Sequence, residues 1–165
     1  MKGRTPRDLD AHCWVFAYGS NMDMPDLARW VREEGVIDDA PSQIRSATLL
    51  RHQLVWNYRS VARRGGAANI EPGPENLPGV VLEVTEALLH AIDRKEGPSY
   101  ARAVHRVATP QGEIDAWAYR VIAERREATP IYPRQDYLEI MLRAARLHEL
   151  PKAHISALEN TPTLD

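Results

Sequence analysis

Glu96 is a carboxylate in a place that ordinary surface glutamates do not occupy. Leu88, Ile92 and Glu96 are spaced four apart, with Leu89 beside them, so on a helix the acid continues the apolar stripe that faces the core. Gly97 and Pro98 follow at once, end the helix and leave the acid at the lip of a cavity. A half-buried carboxylate in apolar surroundings is a stronger proton acceptor near neutral pH, which suits a general base. A second departure from core patterning is Tyr18-Gly19-Ser20-Asn21, placed directly after a compact apolar run. A glycine lets the chain turn sharply, and successive N–H groups in such a turn form a concave anion site that fits a carboxylate. Alone, each feature has a plainer reading: the turn as punctuation after a strand, and the acid as a frayed helix end that swings outward.

Other chemistry finds less support. The six histidines, at 12, 52, 90, 105, 148 and 154, lack metal-ligand spacing, so no metal is expected. There is no Gly-x-Gly-x-x-Gly or P-loop for a nucleotide. Ser20 lacks the second flanking glycine of a nucleophile elbow. Tyr137, near the start of an amphipathic segment, reads by default as a core aromatic.

The elements that must position these residues follow from pattern and punctuation. Cys13 to Tyr18 reads as a buried strand, and Met24 to Glu34 as a short helix with Asp23 as cap, Pro25 in the first turn and Gly35 at its end. Ala47 to Leu50 and Gln53 to Tyr58 read as strands. Arg59 to Pro78 reads as a loop with a short strand near Ala67 to Ile70, and its Arg63-Arg64 pair as solvated. Gly79 to Val84 is the clearest strand, followed by Thr85 as cap of a helix from Glu86 to Lys95. Ala103 to Thr109 and Ile114 to Ile122 form a hairpin around Pro110-Gln111-Gly112-Glu113. Two helices close the chain: Arg134 to His148, with Tyr137, Leu138, Met141, Leu142 and Ala145 on one face, and a second with Pro151 at its first helical position, running to Leu158. Short strands joined by hairpins, with helices between and after them, predict an α+β fold around a mixed, barrel-like sheet.

A chain of 165 residues with 44% hydrophobic content predicts one domain, 13–165, behind a polar flexible arm, 1–12. A net charge of -2 offers no field to gather nucleic acid or anionic lipid, so neither is expected as a partner. The single cysteine, Cys13, excludes an intrachain disulfide and fits a reducing compartment. The apolar run at Cys13 is too short for a signal peptide or membrane span, so a cytoplasmic location is expected.

Phe16-Ala17-Tyr18-Gly19-Ser20-Asn21-Met22, then Gly79 to Val84, then Leu89 to Gly97 with Tyr100, resembles the γ-glutamylcyclotransferase family in order and separation. The likeness continues through Ala116 to Tyr119 and Tyr132 to Tyr137 to the last helix, nearly the whole chain from Trp14. It implies a small mixed β-barrel with flanking helices and a pocket beside the Tyr-Gly-Ser turn. It also implies that the backbone amides of Tyr18, Gly19, Ser20 and Asn21 hold the substrate's glutamyl end, that Glu96 of Asp93-Arg94-Lys95-Glu96-Gly97 moves the proton, and that Tyr137 touches substrate. Tyr100 matches a recurring family tyrosine whose role stays open.

The implied reaction is cofactor-free cyclisation of a γ-glutamyl group to 5-oxoproline with release of an amine. Asn21-Met22 departs from the leucine that usually follows Tyr-Gly-Ser in the glutathione-specific branch, which favours γ-glutamyl amino acids or amines over glutathione. Two alternatives stand beside this: removal of a γ-glutamyl protecting group in a biosynthetic pathway, and a non-catalytic module that binds a small carboxylate. A homodimer is compatible with the resemblance, and the sequence leaves the oligomeric state open.

Overall fold

A computed structural model describes residues 12–35 and 39–165; the N-terminal arm expected over 1–12 falls, except for His12, outside the described residues. The chain order is β1 (His12–Ala17), a 3-10 turn (Ser20–Met22), α1 (Met24–Gly35), β2 (Gln43–Leu49), β3 (His52–Val55), β4 (Arg59–Ser60), β5 (Gly65–Gly66), β6 (Asn69–Pro72) and β7 (Leu77–Thr85). Then come α2 (Glu86–Glu96), β8 (Tyr100–Thr109), β9 (Gly112–Val121), a 3-10 turn (Ala123–Arg125), α3 (Gln135–Leu147) and α4 (Lys152–Glu159). Five strands close into a barrel in the order β1-β7-β2-β8-β9. Four of the pairings are antiparallel, and the barrel shuts where Val15 of β1 meets Trp117 of β9 in parallel. This is the mixed barrel with flanking helices that the sequence predicts.

β7 is nearly continuous in apolar residues because it lies between β1 and β2 in the barrel, with Val80, Val81 and Leu82 all fully buried. α2 starts where Thr85 Oγ1 accepts the Leu88 N–H at 3.1 Å, the expected cap. It packs Leu88, Leu89, Ala91 and Ile92 inward. Leu88 and Ile92 are wholly enclosed, each contributing roughly 1.5–3 kcal/mol of burial. The helix stops at Gly97, whose φ of 73° suits a residue without a side chain. α1 begins on Asp23, whose Oδ2 accepts the Asp26 N–H at 3.0 Å; the same carboxylate pairs with Arg143 of α3 at 2.8 Å. The cap thus also ties two helices together.

Three expectations need correction. The segment Arg59 to Pro78 is no open loop: β4 pairs with β5, β6 pairs with β3, and Asn69 is fully buried, its Oδ1 accepting the Val121 N–H at 2.9 Å. Short two-residue strands leave no periodicity to read, so tertiary hydrogen bonding decides them. β3 ends at Val55, and Trp56, Asn57 and Tyr58 instead offer their carbonyls to the N–H groups of Ile131, Glu127 and Ala67 at 2.8 to 3.1 Å. Pro151 is the N-cap residue of α4, one place before the expected position. Among the described residues no helix is long and apolar enough to cross a membrane.

Candidate active site

The two unusual features of the sequence meet in space. Glu96 ends α2 one turn beyond Ile92, and Asn21 Nδ2 donates to Glu96 Oε1 at 2.6 Å across 75 residues of chain. The expected apolar surroundings therefore stop at Ile92, and the carboxylate itself has a polar partner. Asp93, the first acid of the motif, is committed elsewhere: it accepts from the Tyr119 hydroxyl at 2.5 Å and pairs with Arg102 at 2.8 Å. Glu96 is the motif acid that lines the cavity.

That cavity encloses about 640 Å³ and is walled by Trp30, Tyr58, Arg63, Lys95, Glu96 and Tyr137, among others. It adjoins a pit of about 30 Å³ formed under the turn by Tyr18, Gly19, Asn21, Ala68 and Tyr119. Ser20, Glu96, Tyr100 and Tyr137 border both spaces. The 3-10 turn closes through Met22 N–H to Gly19 O and Asp23 N–H to Ser20 O, so the N–H groups of Ser20 and Asn21 open it without an acceptor inside the turn. A side chain at position 19 would bring its Cβ to 3.2 Å from the Tyr137 oxygen and 3.3 Å from Ala68 Cβ. Gly19→Ala is therefore expected to cost about 1–3 kcal/mol by overpacking, seen as a lowered thermal midpoint; an unchanged midpoint would show that Tyr137 yields freely.

The three tyrosines of the predicted site behave differently. Tyr18 donates its hydroxyl to Tyr119 O at 2.6 Å, which commits its proton to the barrel. Tyr100 spends its proton on Ala68 O at 2.8 Å and packs edge-on against Tyr58. Tyr137 accepts the Ala68 N–H at 3.1 Å, which leaves its own hydroxyl hydrogen to be donated. Burial pushes the Tyr137 phenol up to about 12, against the Ala68 N–H and the Arg63 charge, which pull it down. It is a donor throughout the neutral range.

Two charged residues with no assigned role, Arg63 and Lys95, complete the wall, and a third, Asp26, lies behind them. Asp26 is buried and grips Arg63 through both carboxylate oxygens, at 2.8 and 3.2 Å. Arg63 lies over the rings of Trp30 and Tyr137, with its side chain 14% exposed, which overturns its reading as a solvated loop residue. Lys95, only 5% exposed, donates to Ser20 Oγ at 3.1 Å and to Asn21 Oδ1, and sits 3.9 Å from Asp26. Burial lowers the Lys95 pKa, opposed by the Glu96 and Asp26 charges. Burial alone would raise the Asp26 carboxyl, but the Arg63 hydrogen bonds and the Lys95 and Arg63 charges outweigh it and hold that carboxyl below the usual carboxylate range. The signal for Lys95 was present: it stands three, four and seven residues after Ile92, Ala91 and Leu88, on their own stripe. Asp26 carried none, since an acid in the first turn of a helix is ordinary.

A closed five-stranded mixed barrel with flanking helices is the architecture of the γ-glutamylcyclotransferase-like class of α+β folds. The sequence family described as Gamma-glutamyl cyclotransferase, AIG2-like matches residues 15–139, and the chain belongs to it. Among solved structures, one described as a gamma-glutamyl cyclotransferase superposes with a TM-score of 0.75 at 23% identity, covering 93% of this chain and 90% of that one. An uncharacterized protein from Homo sapiens does so with a TM-score of 0.75 at 23% identity, covering 94% and 91%. A cyclotransferase from yeast, described as specific to glutathione, reaches 0.60 at 12% identity, covering 90% and 94%. At these identities the likeness is one of fold. No curated protein matches the chain.

Proposed function

We propose that this chain is a γ-glutamylcyclotransferase that converts the γ-glutamyl group of a γ-glutamyl amino acid or amine to 5-oxoproline and frees the amine. The observation that carries this reading is the Glu96 carboxylate at 2.6 Å from the Asn21 amide, bordering the cavity and the pit beneath the turn together. Family membership supports the reaction class.

In this reading the glutamyl carboxylate sits on the N–H groups of the Tyr18 to Asn21 turn, which brings the substrate's α-ammonium to Glu96. Glu96 takes one proton from that ammonium. The freed amine attacks the γ-carbonyl carbon, forming the ring C–N bond, and the carbonyl oxygen gathers negative charge. Tyr137, with its hydroxyl hydrogen unspent, donates to that oxygen. Glu96 returns the proton to the departing nitrogen as the amide C–N bond breaks, and the ring nitrogen's second proton passes to the released amine, which leaves as an ammonium ion while the ring nitrogen becomes the lactam N–H. Nucleophile and electrophile belong to one molecule, so the protein's tasks are to bend the substrate, move the proton and stabilise the oxyanion.

Arg59 and Arg125 are exposed residues of the cavity lining, beside Glu124 and Glu127, and among the described residues neither arginine forms an ion pair. They favour a leaving group that carries a carboxylate, hence a γ-glutamyl amino acid. Replacing either by alanine is expected to raise KM for γ-glutamyl-alanine by about 2- to 5-fold with little change in kcat, and to leave γ-glutamyl-alaninamide unaffected. Equal effects on both substrates would remove this preference. Mass spectrometry of 5-oxoproline released from γ-glutamyl-alanine tests the reaction itself: stoichiometric release with alanine supports it, and tight binding without turnover leaves only a carboxylate-binding module.

A further inference from the structure

Lys95 touches the turn and the acid's partner but not the cavity's reacting groups directly. Its ammonium can only donate, and the carboxylate of Glu96 can only accept. The Asn21 side chain lies between them, 7% exposed, with Oδ1 receiving Lys95 Nζ and Nδ2 donating to Glu96 Oε1 at 2.6 Å. Turning that amide over would set N–H against ammonium and oxygen against carboxylate, which is repulsive at both ends. Its orientation is therefore dictated by its two neighbours and not by a choice between similar atoms. Ser20 Oγ, on the same ammonium at 3.1 Å, ties the turn backbone to the same post.

We propose that Lys95 is a positioning residue: acting through the Asn21 amide, it holds Glu96 Oε1 and leaves Oε2 to face the substrate's ammonium. This rests on the role proposed for Glu96. The rival account makes Lys95 only a counter-charge for Asp26, 3.9 Å away. The two differ in what happens to Asn21 when Lys95 is removed.

In the full chain, Lys95→Met keeps a straight side chain of similar bulk and deletes the ammonium. Its kcat for 5-oxoproline release from γ-glutamyl-alanine is expected to fall about 10- to 100-fold, the scale of a hydrogen bond to a charged group, with KM within about 2-fold. In the Asn21→Ala background the same change is expected to cost less than about 2-fold, because the route through the amide is already gone. The Asn21 side-chain NH₂ resonances give a readout free of turnover. In the wild type one proton is held downfield by the carboxylate; in Lys95→Met the pair moves to solvent-like positions. An unmoved pair, or losses that multiply in the double variant, would overturn the proposal.

Lys95→Arg keeps the charge beside Asp26 and guards against a Lys95→Met chain that does not fold. Its planar fork cannot reproduce the ammonium's geometry, so a shifted Asn21 pair and a kcat loss of about 3- to 10-fold are expected, and wild-type values for both would count against Lys95. Should the wild type release no 5-oxoproline at all, the proposed reaction fails, while the Asn21 resonances still decide what Lys95 holds.

Discussion

Glu96→Gln is expected to slow 5-oxoproline release from γ-glutamyl-alanine by about 10²- to 10⁴-fold, the usual worth of a positioned acid-base group. Glutamine keeps the shape and still offers an oxygen to the Asn21 NH₂, so the 2.6 Å contact survives in kind. What it lacks is the capacity to take and return a proton. The thermal midpoint should stay within about 2–4 °C of wild type, corresponding to less than about 1 kcal/mol for a chain of this size. A variant that releases 5-oxoproline at near wild-type rate would refute the assignment, and a large loss of stability would make the kinetic result uninterpretable as chemistry. Both are measured on the same preparation.

The second large effect is on folding. Asp26→Asn removes the anion that pairs with Arg63 and lies against Lys95, leaving the buried Arg63 charge without its ion-pair partner. Breaking a buried pair in this way costs about 3–5 kcal/mol, roughly 6–20 °C in midpoint. The half-exposed Arg29 on the same carboxylate adds little. pH provides an independent check. Because the Asp26 carboxyl is held below the usual carboxylate range in the folded chain, the unfolded chain binds more protons between the two values, and stability rises with pH there. Its contribution is complete above about pH 5, where an ordinary carboxyl is almost fully ionised, and is lost as pH falls through the lowered folded value. The wild type should therefore lose stability more steeply below about pH 4 than Asp26→Asn, as read by urea midpoints across pH. Parallel acid limbs would show that Asp26 carries no such load.

Much of this architecture is legible in residue order. The β7 run ends at Thr85, a good cap, and α2 ends at a glycine, so strand, cap, helix and stop can be read in succession. The helix-end acid and the glycine turn stood out because each breaks the local pattern without a local reason. Arg63 shows the opposite case: a basic pair between turn residues reads as solvated in the sequence, whereas Asp26, 37 residues earlier, lies against it in the fold.

Local spacing thus specified which faces of the helices go inward, where α2 starts and stops, and that Glu96 belongs on an inward face. Those are short-range matters of side-chain period and backbone conformation. Where the inward faces meet is a different kind of question. That Asn21 reaches Glu96, that Lys95 touches Asn21, that Arg63 is tied down by Asp26 and that Tyr137 is left with a proton to give all depend on tertiary packing, such as the pairing of β1 with β7 that sets the turn after β1 beside the end of α2. Each such contact joins residues 37 to 75 positions apart, and no periodicity of two or 3.6 carries information across that distance.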